Sequence, residues 1–85
     1  MSDKQSPNTM TPEEIRDIRS RVLKQTQAEF AHMLGVSARS VRHWEGGTRK
    51  AQKSVVRSIR RICRHKGVMD DEHNIIEEAA IERAN

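Results

Sequence analysis

Residues 26–47 leave this chain less choice of local structure than any other stretch. Thr26 is a strong N-cap, and Glu29 three residues on completes a capping box, so a helix starts there. Phe30, Ala31 and Leu34 follow helical spacing and give that helix one apolar face. Gly35 stops it, because the chain must turn through positive φ and glycine does this at low cost. Ser37 then caps a second helix, with Val41 and Trp44 as its inward positions, and Gly46-Gly47 ends it. A connection this short forces the two helices to cross steeply, and Ala31 is small where two backbones must approach.

Two short helices joined this way make a helix-turn-helix, the unit that sets its second helix in the DNA major groove. Gln27-Ala28-Glu29-Phe30-Ala31, then Gly35-Val36-Ser37, Val41 and Trp44-Glu45-x-Gly47, resemble the Cro/repressor (XRE) helix-turn-helix family. The resemblance covers about half the chain, from Met10 to Arg49, and extends loosely through the next helix. It implies an all-α, lambda-repressor-like bundle. It also implies that an arginine near the end of helix 1 pairs with the glutamate after Trp44. Arg19 is the first candidate for that partner and Arg21 the second. Two departures stand out. One extra residue lies in the Lys24-Gln25 connection, which puts the register of helix 1 in doubt, and Ala51 stands where the family usually has proline.

At 85 residues there is room for one small core. With one Trp, one Phe and no Tyr, that core must be aliphatic and thin, which favours helices and makes a stabilising partner chain plausible. The overall charge of +4 hides an asymmetry. Residues 37–66 hold ten Lys/Arg and one acid, Glu45, whereas residues 67–85 hold six acids against Arg83. A basic block on such a motif is the electrostatic footprint of a nucleic-acid binder. The lone Cys63 excludes an intrachain disulfide and fits a reducing cytoplasm. No apolar run approaches the ~18 residues of a membrane span, and no signal-peptide pattern opens the chain, so a soluble cytoplasmic protein is expected, nucleoid-associated or in a host cell if phage-encoded.

In chain order, residues 1–9 are polar and aperiodic and read as a disordered arm. Residues 10–67 form the expected DNA-binding domain. Its first helix starts at Thr11-Pro12-Glu13-Glu14, with Thr11 as cap, Pro12 in the first position and Glu14 closing the box. Met10 is placed to staple against Ile15, and Ile15, Ile18, Val22 and Leu23 form the buried stripe, with Arg16, Asp17 and Arg21 wet. Val55, Val56, Ile59, Ile62 and Cys63 give helix 4 its apolar face, with Val56 and Cys63 slightly off the main line. Gly67 suits a helix end, with Val68 or Met69 folded back over the last turn. Residues 68–85 read as an acidic fifth helix starting at Asp71, with Ile75, Ile76, Ala79 and Ala80 as a narrow stripe for a second copy or another protein.

Helix 3, over 37–45, turns Arg39, Arg42 and His43 away from Val41 and Trp44. An arginine fork donates two hydrogen bonds to guanine O6 and N7, the commonest specific base contact. Short Ala38 lets the helix approach, and the resemblance places Ala38, Arg39, Arg42 and His43 where bases are read. The bland alternative is a solvated charged face. Phosphate contacts are expected from Gln27 and Ser37 at helix N-termini and from Thr48, Arg49, Lys50 and Lys53 beyond helix 3. The first of these follows the resemblance; otherwise it is an ordinary polar residue at a helix start. Arg57, Arg60, Arg61 and Arg64 are spread around helix 4, so some are merely solvated. Trp44 reads as core rather than as a base-stacking group. Cys63, His65 and His73 lack the spacing of a zinc site, no catalytic constellation is evident, and neither metal, cofactor nor enzymatic activity is expected.

Two function classes follow. The first is a sequence-specific transcriptional regulator, a repressor acting as a homodimer on an inverted repeat in double-stranded DNA. The second is the antitoxin of a toxin–antitoxin pair, whose acidic C-terminal helix holds a toxin protein while the motif autoregulates the operon.

Overall fold

The computed structural model describes residues 9–78. It is small and mostly helical, with four helices: α1 (Pro12–Asp17), α2 (Gln27–Leu34), α3 (Ala38–Gly46) and α4 (Lys53–His65). No strand occurs among the described residues, and no helix there is long and apolar enough to cross a membrane. The expected disordered arm, apart from Thr9, lies outside the described residues.

The helix starts follow their caps. Thr11 accepts from the Glu14 N–H at 3.1 Å while the Glu14 carboxylate accepts from the Thr11 N–H at 2.8 Å. Thr26 and Glu29 repeat the same box at α2. Ser37 accepts from the Ser40 N–H to open α3. Gly35 at φ 74° and Gly47 at φ 79° end α2 and α3 in the left-handed region, where a side chain is costly.

The end of α1 departs from a plain α-helix. Residues Ile18–Val22 continue it with wider π-type turns, in which the Leu23 N–H donates to the Ile18 carbonyl at 2.8 Å. The Gln25 N–H then reaches back to the Arg19 carbonyl at 2.9 Å, and Lys24 adopts φ 56°. Ile15, Ile18 and Val22 are buried as expected, and Leu23 is half-buried against the core.

Phe30, Ala31, Val41 and Trp44 join the α1 stripe in one core, closed by Ile59, Cys63, Val68 and Met69. α3 packs on α1 and α2, and α2 also touches α4. Helix α4 is rotated from the expected line. Val56 and Cys63 are fully buried beside Ile59, while Val55 and Ile62 are half-buried at the edge. Neighbouring Val55 and Val56 both satisfy helical spacing with Ile59, so periodicity alone did not separate them. Past α4, Gly67 turns at φ 77° and the Val68 N–H donates to the Cys63 carbonyl at 3.0 Å, folding Val68 over the last turn.

The fifth helix does not start at Asp71. Residues 71–76 form a turn closed by a bridge between Met69 and Ile75, and helical backbone resumes only at Glu77. The Asp70 carboxylate accepts from the Glu72 and Asn74 N–H groups, each at 2.9 Å, which competes with helix formation. His73 sits at φ 70°, which breaks the helical path. Ile75 therefore turns onto the core while Ile76 is exposed, so the pair does not form the common stripe expected of them. Ala79 and Ala80 lie outside the described residues.

The register of α4 gives a test. Ile59→Ala should cost ~2–5 kcal/mol, as for a fully buried isoleucine, and Ile62→Ala less than about half of that. Urea unfolding of the two variants measures both, and equal losses would contradict the rotation.

Candidate nucleic-acid interface

Three inward residues of α3 fix which way its outer face looks. Val41 and Trp44 are buried in the core, and Glu45 is buried with them although it carries a charge. Arg39 and Arg42 lie on the opposite side, both exposed, and neither bonds to any described residue. Two guanidinium forks are thus presented on one side of a short helix, with no partner for their side-chain N–H groups among the described residues.

The Glu45 carboxylate, 3% exposed, is the meeting point of three elements. Arg19, at the wide end of α1, donates through Nε to Oε2 at 2.6 Å and through Nη2 to Oε1 at 3.0 Å. Its Nη1 donates to the Gln25 carbonyl at 2.9 Å, tying the same fork to the connection before α2. Gln27, the first residue of α2, donates from Nε2 to Oε1 at 3.2 Å. Arg16, one turn before Arg19, donates from Nη2 to the Glu45 backbone carbonyl at 3.3 Å. The first of the two arginine candidates is therefore the partner of Glu45. Arg21 pairs instead with Asp17 and Glu77. Arg16 joins this cluster while staying exposed as expected, its side chain 61% accessible.

Burial of Glu45 opposes its ionisation. The hydrogen bonds from Arg19 and Gln27, with the charges of Arg19 and Arg16, outweigh that effect and hold the carboxyl below its ordinary value. The same hydrogen bonds raise the Arg19 guanidinium against burial.

The remaining expected contacts fall into four groups. Ser37, Thr48, Arg49, Lys50 and Lys53 are exposed, with the last four in or just after the loop following α3. His43 is half-buried, its Nδ1 lying 2.7 Å from the Thr48 hydroxyl, and its carbonyl accepts from the Thr48 N–H at 3.0 Å and the Arg49 N–H at 3.3 Å. His43 thereby anchors the basic loop to α3. Ala38 differs from expectation: it is half-buried and packs against the core, because it precedes Val41 by three residues and shares its inward side. The Gln27 amide is engaged with Glu45. Cys63 is buried, which pushes its thiol up to about 11, so it stays protonated at neutral pH.

No protein-family model matches the chain, and no curated protein or solved structure matches it.

The Glu45 cluster has a definite pH signature. A carboxyl lowered on folding contributes stability that is complete above its ordinary value of 4.5 and is lost as pH falls through the lowered one. Glu45→Gln should cost roughly 3 kcal/mol at pH 7, where Arg19 is left half-buried without its counter-charge. The difference from the natural chain should shrink as pH falls from 4.5 through the lowered value. Denaturation of both chains across that range measures it, and a pH-independent difference would contradict the assignment.

Proposed function

We propose that this protein is a sequence-specific DNA-binding transcriptional regulator, in which α2 and α3 act as a helix-turn-helix and α3 enters the major groove. The observation that carries this reading is the two-sidedness of α3. Its inner side is fixed by Val41, Trp44 and the Glu45 cluster, and its outer side offers Arg39 and Arg42, unpaired among the described residues. Forks held on a rigid, anchored helix are suited to bidentate recognition of guanine edges. The exposed Thr48, Arg49, Lys50 and Lys53 then supply charge for backbone phosphates, and the anchoring of the loop by His43 limits how far that charge can wander. The likeness of the 26–47 motif to the Cro/repressor family supports the same reading.

One such unit reads only a few base pairs, too few to single out a site among ~10⁶ competitors. We therefore propose a two-fold dimer on an inverted repeat, with recognition helices ~34 Å apart in successive major grooves. A footprint of the full-length chain on a selected duplex should show two protected half-sites about one helical turn apart. A single short protected patch would contradict dimeric binding.

Arg39→Ala or Arg42→Ala should lower specific affinity by ~1–3 kcal/mol and relax preference at one base position per half-site. Selection from a randomised duplex library reads this directly, and an unchanged preferred sequence would remove that arginine from base reading. Lys50→Ala should instead weaken binding to all sequences alike and lower the log–log salt slope by about one. A slope equal to that of the natural chain would place Lys50 in solvent.

A further inference from the structure

The arginines of α4 are not all accounted for by a DNA-facing surface. Arg57, Arg60, Arg61 and Arg64 are not spread around the helix as expected: at spacings of three, one and three residues they share one side of it, and all four line one cleft. The cleft measures about 540 Å³ and is lined also by Ser54 and Ser58. His73, from the turn after α4, closes its edge, and among the described residues no carboxylate lines it. None of the lining residues belongs to α2, α3 or the loop at 48–50.

Arg60 is the anomaly in this cluster. It is only 8% exposed, yet its Nε and Nη1 have no hydrogen-bond partner. Nη2 alone is engaged, donating to the Thr9 carbonyl at 3.1 Å. Glu14, whose charge Arg60 feels, bonds through Oε1 to the Thr11 N–H instead. The other buried ion, Glu45, is held by three side chains from two neighbouring elements. Among the described residues Arg60 has no counter-ion in contact, although Glu14 and Asp17 line a smaller cavity that it also borders, and three further guanidinium groups line the α4 cleft. Burial pushes its guanidinium down, Glu14 opposes this, and Arg64 adds to it. An uncompensated buried charge is costly, and an anion in the cleft lowers that cost through its charge, although Nε and Nη1 have no exposed surface for it to bond directly.

We infer that the α4 cleft binds a small phosphate-bearing anion, of the class of pyrophosphate or a phosphorylated metabolite. A phosphate group presents several acceptor oxygens at once, which matches convergent arginine forks and serine hydroxyls better than a single carboxylate does. The cleft volume lies within the usual range of small-molecule sites, about 300–1,000 Å³, and exceeds what one halide ion needs. The occupant is a small molecule rather than the DNA backbone, because the cleft is built without the recognition helix or its loop.

Titration of the ¹⁵N-labelled full-length chain with sodium pyrophosphate, at ionic strength held constant with sodium chloride, tests this. Saturable shifts are expected along α4 and at His73, with Arg60 side-chain N–H groups protected from exchange. Arg57→Gln combined with Arg61→Gln alters two exposed positions that leave the core intact, and should weaken binding about tenfold. Arg60→Met should weaken it at least as much. Arg39→Gln should leave it unchanged. The inference is overturned by shifts that never saturate and spread equally over Arg39, Arg42, Lys50 and Lys53, or by unchanged affinity in the Arg57/Arg61 variant. Displacement of pyrophosphate by a duplex that the chain binds would also overturn it, since the cleft would then belong to the DNA backbone. The pyrophosphate titration itself needs no DNA, so its result is independent of the DNA-binding reading.

Discussion

The carboxylate of Glu45 sits in a core with little apolar area available to surround it, and its neighbours make that placement stable. Apolar contacts are non-directional, and a core with only Phe30 and Trp44 as aromatics would tolerate small rotations of one helix over another. The Arg19 fork, at 2.6 and 3.0 Å, does not. It fixes distance and plane together, and Gln27 and Arg16 add bonds from two further directions. α3 is thereby held in angle as well as in position. Turning it by one residue would withdraw Glu45 from its partners and move Arg39 and Arg42 off the outer side. The orientation of the candidate interface rests on this polar contact more than on burial.

The wide turn at Ile18–Val22 belongs to the same account. Through this π-type widening Ile18 and Val22 stay on the core and Arg19 reaches Glu45. π-type turns cost regular hydrogen bonding and persist where a side chain must be aimed. Here that side chain is Arg19, which serves both the Glu45 carboxylate and the Gln25 carbonyl.

Much of this was legible in the residues, for local reasons. Capping boxes at Thr11 and Thr26 involve partners three residues apart, and Gly35 and Gly47 mark turns whose φ excludes most alternatives. The Arg19–Glu45 pair followed from the resemblance rather than from spacing. Features decided by tertiary packing were not legible. The rotation of α4 depends on which of two adjacent valines faces the core. Arg60 reads as one more solvated arginine until its burial is seen. Residues 71–76 carry helix-like acids and isoleucines, but the Asp70 carboxylate captures the nearby amides and the chain turns back to pair Met69 with Ile75.

The central claim is that the outer side of α3, oriented by Glu45, is the surface that meets DNA. Backbone amide shifts of the full-length chain, titrated with a duplex that it selects from a random library, test this most directly. The account predicts the largest shifts from residue 38 to 43, at the start of α2 and in the loop at 48–53. Shifts confined to α4 and residues 70–78, with α3 unmoved, would contradict it.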